Sequence, residues 1–163
     1  MNKTNYENVI VIVADLGEMK AFNIKKHEGM VEKKLKISYS LEALSYINYI
    51  DPHLSVRNIT RDSAGRFGSS KDHVGVGVGN AIGSIPEDHN LKNERKRRSI
   101  EDVANDINLI VKNEKPKQLW LAFPQESNIQ LLDQLSKETK DVLVKNVTSD
   151  LINIETAKIL SHF

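Results

Sequence analysis

The sequence has no cysteine. That excludes a disulfide scaffold, a thiolate metal site, a cysteine nucleophile and an iron–sulfur cluster. It also fits a reducing compartment. Long apolar runs are missing too. The first one, Val9 to Ala14, ends after six residues at Asp15. It is too short for a signal-peptide core and far short of the roughly 20 residues of a membrane span. A cytoplasmic chain without membrane insertion is the expectation. Neither sign of charge dominates, with 23 Lys and Arg against 22 Asp and Glu and a net charge of +1. That balance excludes a wholesale polyanion binder and leaves room for a local basic patch. Aromatics make up only 6%. Phosphate-binding P-loops, G-x-S-x-G elbows and closely spaced histidine pairs are all absent. No cofactor and no zinc site are expected. His27, His53, His73, His89 and His162 are scattered singly.

What remains is a globular composition, 39% hydrophobic and 28% charged over 163 residues. A chain of that size buries about 70% of its unfolded surface, which is enough for a core. One domain spanning 1–163 is expected. Val9–Ala14 reads as a β-strand buried on both faces. The Asp15–Glu18 turn, a strand over 19–24, a turn over 25–29 and a strand over 31–39 complete an antiparallel meander. Ser40–Ile50 has helical spacing and is read as a short helix ended by Asp51-Pro52. Residues 51–90 hold six of the eight glycines and read as one long loop. Ile100, Val103, Ala104, Ile107, Ile110 and Val111 form one apolar stripe, so a helix is expected over about 91–113. Ser99 and Asp102 resemble a capping box, but the cations before them argue for the earlier start. A central strand at 118–123, a helix at 127–137, a strand at 142–147 and a helix from Asp150 or Asn153 to about His162 follow. The order predicts an α/β fold. Its ribonuclease-H-like mixed sheet joins a three-strand antiparallel meander to parallel strands, with helices on both faces.

Three groups of residues carry possible chemistry. Asp15, Glu126 and Asp150 each lie just beyond a strand. Together they are the alternative catalytic set, a divergent metal-dependent nuclease or phosphate-transfer site, because Mg²⁺ needs several hard oxygen ligands at once. Each also sits where a turn or helix start needs a carboxylate, and that use is preferred. The run Lys92–Arg98, with Arg95, Lys96, Arg97 and Arg98 in sequence, has five cations and one acid. It is either an RNA or anionic-surface footprint or a solvated helix face. With Phe67 the nearest aromatic candidate, it lacks a base-stacking platform. In the loop, Asp62, Ser69 and His73 are placed to share a polar site with Arg66. The Arg66 guanidinium either forms a bidentate contact with a phosphate or carboxylate, or clamps Asp62 internally. The glycines of VGVGVGNAIG do not stand between a first strand and its helix, so they do not read as a dinucleotide loop.

Three segments, in order, resemble the bacterial host-attachment protein family. They are VIVADLGEMKAF, RDSAGRFGSSKDH, and LWLAFPQESNIQLL followed by VKNVTSDLINI. Asp62, Gly65, Arg66 and Phe67 match the family loop, while Ser63 and Ala64 depart. Ala122, Pro124, Asp150 and Leu151 match as well, and Phe123 departs. The resemblance implies kinship with the middle domain of eukaryotic and archaeal peptide-chain release factors, and with it a ribonuclease-H-like fold. No Gly-Gly-Gln occurs here, so peptide release is not implied. A non-enzymatic binding domain is implied instead, a component of the translational machinery contacting RNA, the ribosome or a protein partner. Its surface would be Asp62, Gly65, Arg66, Phe67, Ser69 and His73 with Arg95–Arg98. A third reading is a structural role in which the sheet edge or the loop mediates self-association.

Overall fold

The structure is a computed structural model that describes residues 6–31, 34–49 and 85–163. Strands β1 (Val9–Ala14), β2 (Glu18–Val31) and β3 (Lys34–Asn48) come first. Helix α1 (Ile85–Glu114), strand β4 (Gln118–Ala122), helices α2 (Gln125–Gln134) and α3 (Lys137–Val142), strand β5 (Leu143–Val147) and helix α4 (Thr156–Ile159) follow. A 3₁₀ turn over Leu160–His162 succeeds α4. The five strands form one mixed sheet in the order β3-β2-β1-β4-β5. β1 is antiparallel to β2, and β2 to β3, whereas β4 runs parallel to both β1 and β5. The α/β class and the mixed sheet are therefore as expected.

The centre of the sheet is buried on both faces, which is why β1 and β4 are apolar without interruption. Ile10, Ile12, Leu119 and Leu121 face one way, against Ile100, Val103, Ala104, Ile107 and Val111 of α1 and Leu131 of α2. Val9, Val11, Val13, Trp120 and Ala122 face the other way, against Leu151, Ile152 and Ile159 of the C-terminal segment. The apolar stripe read from the sequence is the buried face of α1.

Several boundaries differ from the expectations. Residues 25–29 are not a turn but lie inside β2, paired residue for residue with Gly29↔Lys36 through Lys25↔Ser40. Ser40–Asn48 is not a helix but the second half of β3. Its apolar residues recur every three positions for a different reason. A β-bulge between Phe22↔Ala43 and Ala21↔Ser45 leaves Leu44 without a cross-strand partner. Leu41 then packs with one core cluster, and Leu44 and Ile47 with the other. A change of face across the bulge imitates a helical period. Helix α1 begins at Ile85, so residues 85–90 are not loop, and Ser99 is a buried mid-helix residue rather than a cap. The early start puts Arg95–Arg98 well past the first turn and removes their conflict with the helix dipole. α1 stops where Lys115 takes a left-handed φ of 46° before Pro116. The helix expected over 127–137 is two: Ser136 caps α3 by accepting from the Thr139 N–H at 3.2 Å. The terminal helix is reduced to one turn, with Glu155 rather than Asp150 or Asn153 at its N-cap.

Beyond the core, β2 and β3 continue as a two-stranded ribbon. β1 pairs with β2 only over residues 19–23. From Ile24↔Leu41 to Val31↔Lys34 the two strands pair, among the described residues, only with each other. At about 3.3 Å per residue that ribbon is roughly 23 Å long. Among the described residues, no helix is long and apolar enough to cross a membrane.

Candidate nucleic-acid interface

The candidate carboxylates sit as their strands dictate. β1, β4 and β5 are parallel neighbours, so Asp15, Glu126 and Asp150 follow their C-terminal ends at one edge of the sheet. The sequence reading placed each of them just beyond a strand. They do not assemble into a site. Asp15 Oδ1 accepts from the N–H groups of Gly17 and Glu18, both at 2.6 Å, and so closes the β1–β2 turn. Asp150 Oδ1 accepts from the Ile152 N–H at 3.0 Å. Glu126 is exposed in the first turn of α2, where a carboxylate favours the helix dipole. Among the described residues, no three His, Asp or Glu side chains gather to hold a metal ion. Two of the three carboxylates, Asp15 and Asp150, thus hold local turns.

The basic run divides into two kinds of cation. Helical spacing of three and four residues brings Glu94 beside Arg97 and Arg98. Arg97 donates to Glu94 at 2.9 and 3.0 Å and to Glu101 at 3.3 Å. Arg98 donates to Glu94 at 3.0 Å. Hydrogen bonds from Arg97 and then Arg98 hold the Glu94 carboxyl down to about 2, and the same bond to Glu94 raises Arg97. These exposed pairs neutralise one another locally. Lys96 behaves otherwise. It is half-buried and has no hydrogen-bond or ion-pair partner among the described residues. It lines a groove of about 520 Å³ between α1 and α2, with Asn93, Arg97 and Ile100 on one wall and Gln130, Asp133 and Gln134 on the other. Among the described residues, the groove thus offers an unpaired ammonium beside three side-chain amides, which both donate and accept, and the Asp133 carboxylate.

Asp62, Gly65, Arg66, Phe67, Ser69 and His73 lie outside the described residues. The segment that contains them follows Tyr49, whose N–H donates to the Gly17 carbonyl at 2.8 Å.

Sequence reasoning missed two polar features. Asn128 of α2 and Asn146 of β5 exchange amide hydrogen bonds at 3.1 and 2.7 Å, which ties that helix to the sheet edge. Lys145 Nζ stands 3.8 Å from the centroid of the Trp120 ring and donates to the Phe163 carbonyl at 2.8 Å. The alternation of β5 puts Lys145 and Val147 on the Trp120 side, and that signal was present in the sequence.

The sequence matches the family model described as "Protein required for attachment to host cells" over residues 10–163. No curated protein matches it. The match spans nearly all of the strands and helices described above, and the chain belongs to this host-attachment protein family.

Proposed function

We propose that this member of the host-attachment family is a non-catalytic binding domain that contacts RNA through the exposed face of α1. The observation that carries the reading is the division of the basic run. Arg97 and Arg98 pair with Glu94 and Glu101, while Lys96 has no ion-pair partner among the described residues and stands beside a groove that Asn93, Gln130, Gln134 and Asp133 help to line. A phosphate on Lys96 would set a base against Asn93, Gln130 or Gln134, and amide side chains pair with base edges. The sheet order β3-β2-β1-β4-β5, antiparallel first and parallel afterwards, supports a ribonuclease-H-like fold and kinship with release-factor middle domains. Fold supplies no activity by itself. Among the described residues, Asp15 and Asp150 are engaged in local turns, which supports the binding reading.

Retention of single-stranded RNA across a salt series tests this reading. Each lost phosphate contact lowers the slope of log K against log salt by about 0.7. Lys92→Ala/Lys96→Ala should flatten the slope by about 1.4, and Arg97→Ala/Arg98→Ala by less. Retention that both double variants leave intact would refute the assignment of this face.

A further inference from the structure

β3 is an edge strand, and among the described residues no strand pairs with its outer side. Long open edges invite pairing, and proteins usually blunt them with proline, bulges or charge. The only bulge in β3 is at Leu44, near its core end, and the strand holds no proline. From residue 34 to 42 the strand reads Lys-Leu-Lys-Ile-Ser-Tyr-Ser-Leu-Glu. Ile37 and Tyr39 are 44% and 37% exposed on it.

That stretch complements its own reverse. An antiparallel pair of identical strands related by a two-fold axis at Ser38 puts Ile37 opposite Tyr39, Leu35 opposite Leu41, and Lys34 opposite Glu42. Lys36 falls opposite Ser40. In this register each apolar position stands opposite an apolar position, and position 34 stands opposite Glu42, which also pairs with Lys25 of its own chain at 3.1 Å. Cross-strand pairs of these kinds are the ones that stabilise antiparallel ladders. Moving the axis to Tyr39 sets Lys34 against Leu44, the bulged residue. Moving it to Ile37 sets Lys34 against Ser40, so the cross-strand pairing of Lys34 with Glu42 is lost.

We propose that the outer edge of β3 pairs antiparallel with the same edge of a second copy about a two-fold axis at Ser38, so that two five-stranded sheets become one of ten. The contact is isologous, and it closes at the dimer because each copy has one such edge. It shields Ile37 and Tyr39. It also uses the ribbon rather than α1, so it stands apart from the RNA-binding reading.

The test is sedimentation of the full chain across a concentration range, with charge reversals. The expected result is a concentration-dependent shift from 18.4 kDa to twice that mass. Lys34→Glu and Glu42→Lys should each weaken the dimer about tenfold, since each turns two symmetric attractions into repulsions. The double exchange should restore it. A second measurement does not depend on those variants folding. The chain has no cysteine, so Ser38→Cys introduces a single thiol. Directly opposed antiparallel residues lie about 4.5–5.5 Å apart at Cα, within disulfide reach. Under mild oxidation Ser38→Cys should give a covalent dimer, and Tyr46→Cys should not. A sedimenting mass of 18.4 kDa at every concentration would overturn the proposal. So would a dimer indifferent to both reversals, or cross-linking at residue 46 and not at 38.

Discussion

The Tyr49 hydroxyl donates to Asp106 Oδ2 at 2.7 Å, which ties the residue after β3 to the middle of α1. The bond joins positions 57 apart in sequence, on either side of the segment that carries Asp62 to His73. It therefore holds together the two elements from which that segment departs and to which it returns.

Tyr49→Phe removes this bond and little else. A half-buried hydrogen bond to a carboxylate is worth about 1 kcal/mol, so urea denaturation should show a loss of that order. The loss carries a pH signature. Burial, and then the bond to Asp106, push the phenol's ionisation well above its ordinary value near 10. A raised folded value stabilises fully below the unfolded value and fades as pH rises towards the folded one. The gap between the parent and Tyr49→Phe should stay constant from neutral pH to about 10. Above that it should shrink by up to about 1.4 kcal/mol per pH unit. A gap that ignores alkaline pH would show that the phenol is not held in this way.

Glu94 gives an acid-side counterpart. Its carboxyl titrates at about 2 because Arg97 and Arg98 donate to it, against an ordinary 4.5. A depressed folded value favours the folded state above the unfolded value, and that preference is lost as pH falls towards about 2. Carboxyl chemical shifts followed by NMR should place the Glu94 midpoint near 2 in the parent. Arg97→Ala/Arg98→Ala should return it towards 4.5. The pairs are exposed, so added salt should move the parent value the same way.

Continuous and periodic apolar patterns made the core legible. β1 and β4 announced themselves as unbroken runs, and α1 as one stripe, because burial on two faces or on one leaves different signatures. The second half of β3 was not legible, since Leu41, Leu44 and Ile47 face opposite sides of the sheet across a bulge, and a bulge leaves no mark in residue spacing. The ribbon was hidden for a related reason. Lys25–Gly29 has turn composition, and only pairing with Lys36–Ser40 makes it a strand. At the candidate interface, the excess of cations was visible. Their division was visible too, in the three- and four-residue spacing from Glu94 to Arg97 and Arg98. The groove beside Lys96 was not, because its second wall comes from α2, more than thirty residues further along.

The aromatic side of the sheet offers the clearest measurement, because Trp120 is the only tryptophan. Its ring is 2% exposed, with Tyr6 and Phe163 each 5.6 Å away between centroids. Among the described residues its Nε1 has no hydrogen-bond partner. Lys145 supplies polar contact of another kind, through the ring face. A desolvated cation–π contact is worth up to about 2 kcal/mol, and the bond to the Phe163 carbonyl adds about 1. Lys145→Ala loses both and also the aliphatic stem. Lys145→Met keeps the stem and loses only the charge and the bond. Lys145→Ala should lower Tm by roughly 4–8 °C for about 2 kcal/mol in a chain of this size, and Lys145→Met by about half as much. Trp120 emission should move to longer wavelength in Lys145→Ala, as the stem that covers the ring is removed. If Lys145→Met matches the parent in Tm, the stem and not the ammonium holds this face closed.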